Sequence, residues 1–274
     1  MASTEPGPHV VTPEQRAERA SSFGSIADHY GRYRPGPSAE AVGWVLPGHV
    51  GRVVDLGAGT GGLTRRLVGR ADEVVAVEPD DRMREVLAQT LPEVRALAGT
   101  GESIPLPDGC AEAVLASASW HWMDPVPTLQ EVGRVLVAGG TLGVMWSGPD
   151  LSSFVERAQT LLGDLQFALD DASAAELTAA LHNPHGADQV LVIPPGVPFD
   201  QPETTVFTWG VALNADELVG LLGTWSWVIL MPEDARQRLF DTARRLLRDA
   251  LGVEGDTTFD LGYRTEVWRA RRKL

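Results

Sequence analysis

At 274 residues the chain is long enough for one large α/β domain with insertions, or for two small domains. Its 43% hydrophobic and 22% charged residues are those of an ordinary soluble globular protein. The net charge of −14 weighs against nucleic acid and anionic membranes as partners, because both demand a positive surface that tracks phosphates. No apolar run approaches the roughly 18 residues that span a bilayer, and the start "MASTEPGPHV" has neither the basic nor the apolar region of a signal peptide. The one cysteine, Cys110, sits in a predicted turn, "PDGCA", and cannot form an internal disulfide. These features predict a cytoplasmic protein in a reducing compartment.

Residues 1–11 are expected to be disordered, and 12–274 to form one domain. Thr12 is a natural N-cap, Pro13 suits the first helical position and Gln15 completes a capping box, so a helix is predicted through "TPEQRAERASSFGSIADHYGRY". The chain breaks at "RPGPS" and resumes as a helix through "AEAVGWVL", which closes an N-terminal helical segment over 12–48. From 49 to 148 strands and helices alternate. The order is strand "RVVDLG", helix "GLTRRLVG", strand "EVVAVEP", helix "DDRMREVLAQTL" and strand "EVRALAG". Strand "AEAVLASAS", helix "PVPTLQEVGRVL" and strand "GTLGVMWS" complete it. Apolar strands alternating with amphipathic helices specify an α/β fold, a Rossmann-like, doubly wound, mostly parallel sheet with helices on both faces.

The rhythm changes over 149–203, a predicted helical insert. It opens on the helix "DLSSFVERAQTLLGDLQFAL" and passes into the turn-rich "HNPHGADQVLVIPPGVPFDQPE". Residues 204–274 return to the sheet with strand "TTVFTW", a helix whose Asn214 and Glu217 form a capping box, and the longer helix "PEDARQRLFDTARRLLRDAL". The final segment, "FDLGYRTEVWRA", alternates apolar and polar residues and is expected at the sheet edge, antiparallel to its neighbours.

The stretch "VVDLGAGTGGLTRRL", residues 53–67, carries the chemistry. Gly57, Gly59 and Gly62 satisfy the dinucleotide pattern G-x-G-x-x-G, yet Asp55 stands just before them. A glycine turn between a first parallel strand and its helix lets a ligand approach the backbone closely. In a dinucleotide site the helix N-terminus and backbone N–H groups hold a pyrophosphate, and a carboxylate pointing there would repel it. A zwitterionic amino-acid tail can use both features: its ammonium group meets the acid, and its carboxylate meets N–H groups or an arginine.

The same stretch resembles the first motif of the class I S-adenosylmethionine-dependent methyltransferases, D-x-G-x-G-x-G, here Asp55, Gly57, Gly59 and Gly61. The family's acid for the ribose hydroxyls, at the end of the second strand, falls on Glu78 with Pro79 beside it. "GTGESIPLPDG" resembles the loop that lies against the adenine, which places Gly101 and Glu102 there. "LQEVGRVLVAGGTLGV" is similar to the family's helix, turn and fifth strand, with Ala138 where a proline is usual. The resemblance thus implies S-adenosylmethionine as cofactor, S-adenosylhomocysteine as product, and a cofactor-binding core over 49–148. Ala58 and Ser119 join the cofactor set.

"SWHWMD" and "FGSIADHYGRYRPGPS" narrow the likeness to a subgroup that includes trans-aconitate methyltransferase-like proteins. By that resemblance Ala27, Tyr30, Arg34 and Pro35 belong to a lid over the cofactor, with Tyr30 and Arg34 near its methionine end. Methyl transfer is an in-line displacement, so alignment and exclusion of water supply most of the rate. A carboxylate acceptor needs no base, whereas a phenol, alcohol or activated carbon must lose a proton, which a neutral histidine suits. His121 is the candidate base, weighed against a buried histidine that fixes its loop. Asp124 and Pro125 read more simply as a helix N-cap and first position. The amino-methyltransferase signature [N/D/S]-P-P-[Y/F/W] is absent, which with the acidic charge points to a small-molecule acceptor, and the leading expectation is methyl transfer to its oxygen or carbon.

His29, Trp120, Trp122 and Trp146 are the candidate substrate contacts, and Trp225 and Trp227 lie on a segment that could cover them. Several tryptophans in the cleft would mean a flat or apolar acceptor. Convergence of Arg32, Arg34 and Arg264 would mean a carboxylate. His182 and His185 have no acid partner, so no metal site is expected. Two other activities remain open at this point: a non-methylating rearrangement on the same cofactor, and a nicotinamide-dependent oxidoreductase.

Overall fold

A computed structural model of the chain describes residues 26–150, 190–253 and 255–274. The predicted capping box at Thr12, the helix after residue 150, and His182 and His185 lie outside the described residues. A seven-stranded sheet organises the rest: β1 Val50–Leu56, β2 Ala71–Val77, β3 Arg95–Leu97, β4 Ala111–Ser117, β5 Leu136–Pro149, β6 Glu203–Leu213 and β7 Phe259–Arg271. Their order is β3-β2-β1-β4-β5-β7-β6. The first five run parallel, and β7 lies antiparallel to both β5 and β6. The C-terminal strand joins antiparallel as expected, one place in from the rim, and β6 runs outside it. Their burial accounts for the order, since β7 is buried at every second residue whereas β6 is wetted along nearly its whole length.

Helices cover both faces, which is why β1, β2 and β4 read as near-continuous apolar runs. Successive strand residues point to opposite faces, so Val54, Val114, Val144 and Trp146 join one core with Leu129 and Val132. Val53, Leu115 and Met145 join the other core with Val42, Val45 and Leu87. The helices are α1 Ala27–Tyr33, α2 Ala39–Val45, α3 Thr64–Leu67 and α4 Asp81–Thr90, then α5 Pro125–Val135, α6 Ala215–Leu222, α7 Ser226–Ile229 and α8 Glu233–Leu251.

Local sequence sets their ends. Ser38 Oγ accepts from the Ala41 N–H at 3.1 Å to start α2. Asp80 Oδ1 accepts from the N–H groups of Arg82 and Met83 to start α4. The Asn214–Glu217 capping box forms reciprocally, both bonds 2.9 Å. Asp124 stands at the N-cap of α5 ahead of Pro125, but its side chain makes no capping bond. The helix read from "GLTRRLVG" shrinks to the single turn of α3, because Gly61 at φ +91° delays its start and Val68 already bridges to Ala71. Among the described residues no helix is long and apolar enough to cross a membrane.

Candidate active site

The parallel register brings the carboxyl ends of β1, β2, β4 and β5 side by side, with Leu56 beside Val77 and Ser117 beside Met145. Ligands in open α/β sheets bind across such an end. A cavity of about 610 Å³ opens here, within the usual range for small-molecule sites.

The glycine turn leaves β1 with Gly57 at φ +68° and Gly59 at φ +55°, a region where side chains are strained. A Cβ on Gly57 would also stand 2.5 Å from Ser119 Cβ. The N–H groups of Gly57 and Ala58 both donate to Val77 O, at 2.8 and 3.1 Å, which folds the turn over the end of β2. Asp55 is only 1% exposed at the floor of this turn. Its Oδ2 accepts from Thr64 Oγ1 at 2.6 Å, and its Oδ1 has no hydrogen-bond partner among the described residues. Burial pushes its pKa up to about 7, opposed by the Thr64 hydrogen bond and reinforced by the nearby charge of Glu78. Glu78 accepts from the Gly59 N–H through Oε2 and from the Asp80 N–H through Oε1, each at 2.9 Å. Its pKa is also raised, chiefly by burial.

An N-terminal roof closes the turn. The backbone of Gly36 lies so close to Gly62 that a Cβ there would stand 2.3 Å from Gly62 O. Tyr30, Arg34 and Pro35 line the cavity from this roof. Arg34 Nη1 donates to Thr224 Oγ1 at 3.5 Å, tying the roof to the residues after α6. The cavity also has an aromatic wall, where His121, Trp122, Trp146 and Trp225 line it together with Ser147 and Thr224.

These features are those of a family. The model of the methyltransferase domain matches residues 54–144. The chain is 37% identical over 257 residues to an uncharacterised methyltransferase of Mycobacterium tuberculosis, covering 93% of this chain and 97% of that relative. The chain belongs to the class I S-adenosylmethionine-dependent methyltransferases.

An uncharacterised methyltransferase-like protein of Schizosaccharomyces pombe is 25% identical over 224 residues, 81% of this chain and 82% of that one. A solved structure from Anaeromyxobacter dehalogenans with a type II methyltransferase assignment shares the fold. Its TM-score is 0.61 at 20% identity, over 88% of this chain and 98% of that one. These relatives establish the broad family, not the trans-aconitate-like subgroup.

In this methyltransferase most of the expected site residues converge. Tyr30, Arg34, Asp55, Gly57, Ala58, Gly59, Glu78, Pro79, Gly101, Glu102, Ser119, His121, Trp122 and Trp146 all line the one cavity. Two of them also brace it. Ser119 Oγ donates to Leu56 O at 2.8 Å, and Glu102 Oε1 accepts from the Asp124 N–H at 2.7 Å.

Three expected residues lie elsewhere. Gly61 faces away from the cavity, and a Cβ on it would meet Leu91 and Leu87, so its role is to let α4 pack against the turn. Trp120 is buried in the core with Leu129 and Val132, because the 3-10 turn Trp120–Trp122 sends its two tryptophans in different directions. His29 Nε2–H donates to Gly220 O at 2.8 Å, and its ring lies tilted against that of Tyr33, which seams α1 to α6.

Of the arginines, Arg34 alone of the expected three lines the cavity. Arg32 lies over the Tyr33 ring and Arg264 pairs with Glu266. Among the described residues no group of three or more His, Cys, Asp or Glu could hold a metal ion. Sequence reasoning missed Thr64, the partner of Asp55, and Ala118, which lines the cavity at φ +54°. It also missed Met83, Met123, Ser147 and Thr224 in the lining. The run of small residues at "SAS" is the only sign of the Ala118 conformation in the sequence.

Proposed function

We propose that this methyltransferase transfers the methyl group of S-adenosylmethionine to an oxygen or carbon of a flat, non-cationic small molecule. The observation that carries this reading is the pairing, in one cavity, of an aromatic wall with a buried acid whose Oδ1 has no partner among the described residues. The donor set fits the cofactor. Asp55 Oδ1 offers an ammonium group the charged acceptor it needs, and Arg34 suits the adjoining carboxylate. Glu78, held by two backbone N–H groups, has lone pairs remaining for the ribose hydroxyls. Gly101 and Glu102 border the adenine end.

When bound, S-adenosylmethionine would supply an electrophilic methyl on a sulfonium, open to in-line displacement by an acceptor lone pair or carbanion with a thioether as leaving group. The protein's part is alignment and dryness. The roof from Tyr30 to Pro37 closes over the cofactor end. Trp122 and Trp225 give the cavity an aromatic lining for the acceptor, bordered by the buried Trp146. Three tryptophans beside two arginines, Arg34 and Arg65, favour a planar acceptor over a polycarboxylate, and the two positive charges disfavour a cationic amine.

Radiolabelled S-adenosylmethionine incubated with a panel of hydroxyaromatics, polycarboxylates and aliphatic amines tests the reading. Label is expected on a hydroxyaromatic member. Transfer only to amines or to polycarboxylates would contradict it.

A further inference from the structure

Asp55 and Thr64 stand nine residues apart, on either side of the glycine turn. Both are closed to solvent, at 1% and 0% exposure. The sheet holds the Asp55 backbone on both sides, opposite Ala76 of β2 and Leu115 of β4. Because Gly61 at φ +91° delays the helix, Thr64 becomes the first residue of α3. It shares the buried face of that turn with Leu67, whereas Arg65 and Arg66 are exposed. The hydroxyl of Thr64 is thereby brought over the end of β1.

A threonine hydroxyl has a single proton to give, and in a helix it commonly returns that proton to a nearby backbone carbonyl. Here the proton goes to Asp55 Oδ2 at 2.6 Å, the length of an O–H donated to a carboxylate. Glu78, at the end of β2, acts on Asp55 with like charge and is itself held by the N–H groups of Gly59 and Asp80. Tyr30, Arg34 and Arg65 line the same cavity from the roof and α3. Asp80, Glu102 and His121 line it from the loops after β2, β3 and β4. Among the described residues, though, Thr64 alone gives the Asp55 side chain a hydrogen bond, and Oδ1 keeps its lone pairs unused.

The last torsion of an aspartate side chain is broad and two-fold, so nothing intrinsic decides which oxygen meets a ligand. A buried carboxyl beside a like charge, with no donor, also takes up a proton and then offers an ammonium group much less. The Thr64 hydroxyl counters both tendencies, since it pins Oδ2 and favours the ionised form.

We propose that Thr64 is a positioning residue for the methyl donor: by holding Oδ2 it turns Oδ1 of Asp55, as a carboxylate, to the ammonium group of the donor's amino-acid tail. This rests on the reading of the cleft as a methyl-transfer site. Thr64 does not line the cavity and acts only through Asp55. Two consequences follow from that arrangement. The function needs the hydroxyl, so serine replaces threonine and valine, of the same shape, does not. A ligand without the amino-acid tail is indifferent to the exchange.

The first measurement is the carboxyl titration of ¹³C-aspartate-labelled protein without ligand, with the Asp55 signal assigned by its loss in Asp55→Asn. Wild type and Thr64→Ser are expected to titrate near pH 7, and Thr64→Val at a pH higher by about one. The same midpoint in Thr64→Val and wild type overturns the proposal.

The second is calorimetry at pH 7 with S-adenosylhomocysteine and with methylthioadenosine, which carries the same nucleoside and no amino-acid tail. Thr64→Val is expected to bind S-adenosylhomocysteine about tenfold or more weaker, and Thr64→Ser to stay within about threefold of wild type. Methylthioadenosine should bind all three proteins within about twofold. Equal losses for the two ligands would mark a merely structural threonine and overturn the proposal, as would unchanged affinity for S-adenosylhomocysteine. Thr64→Ala, which also lacks the hydroxyl, gives the same readings should Thr64→Val not fold. A wild type that binds no S-adenosylhomocysteine overturns the methyl-transfer reading itself, and the ligand-free titration tells that failure from a failure of the Thr64–Asp55 link.

Discussion

Replacement of Asp55 by asparagine separates the cofactor reading from a merely structural one. In the ligand-free protein the carboxyl group is buried, one oxygen satisfied by Thr64 and the other without a partner among the described residues. Burial raises its pKa from 3.8 to about 7, which corresponds to about 4 kcal/mol against carrying the charge above that pH. A ligand ammonium at Oδ1 offsets part of that penalty, and asparagine cannot provide the charge. The variant should therefore bind S-adenosylhomocysteine about 1.5–3 kcal/mol more weakly at a pH near 8, a loss of about ten- to 150-fold in Kd.

The pH dependence has a definite sign. The unfolded chain ionises Asp55 from about pH 4, whereas the folded, ligand-free protein keeps it protonated up to about pH 7. More protons are then bound in the folded state, so the stability conferred by this group falls as pH rises from about 4 to about 7 and is level beyond. Affinity for the ammonium-bearing ligand rises over the same window, because binding favours the carboxylate. Asp55→Asn should flatten both trends and should be at least as stable as wild type above pH 7 when no ligand is present. Calorimetric titration at several pH values reads the first trend, and urea denaturation reads the second. Unchanged affinity in the variant, or a wild-type affinity that does not vary with pH, would refute the assignment.

Two further substitutions probe the turn. Gly57→Ala forces a side chain into φ +68° and against Ser119, so it should lower stability by about 1–3 kcal/mol and weaken S-adenosylhomocysteine binding together; thermal unfolding and calorimetry check the two effects. Glu78→Gln leaves only one oxygen for the Gly59 and Asp80 N–H groups, so one donor loses its partner. A stability loss of about 1–3 kcal/mol in denaturant titration is expected, and none at all would mean that the turn does not depend on that acid.

The sheet, the Asn214–Glu217 cap and the convergence of Asp55, the glycine turn and Glu78 on one cavity were legible because each rests on local chemistry. Alternating apolar strands and helices specify the parallel sheet, and Asn214 with Glu217 specifies a helix start without help from the rest of the chain. An acid ahead of a glycine turn and a second acid one strand later require only that neighbouring parallel strands end together. Direction within a turn is another matter. Gly61 and Gly62 are adjacent, yet one packs on α4 and the other lines the cavity, and that depends on where α4 lies. Trp120 and Trp122 belong to one triplet, and only the geometry of the 3-10 turn sends the first into the core. His29 meets a carbonyl 191 residues away, a partner that no periodicity announces. The Trp146–His121 contact is of the same kind, made between the end of β5 and the turn after β4.

The central claim is that the cleft takes S-adenosylmethionine and not a dinucleotide. Titrating the protein in parallel with S-adenosylhomocysteine and with NADH and NADPH, followed by calorimetry, tests it most directly. The account predicts saturable one-to-one binding of S-adenosylhomocysteine and no heat from either nicotinamide. Binding of a nicotinamide with none of S-adenosylhomocysteine would contradict it.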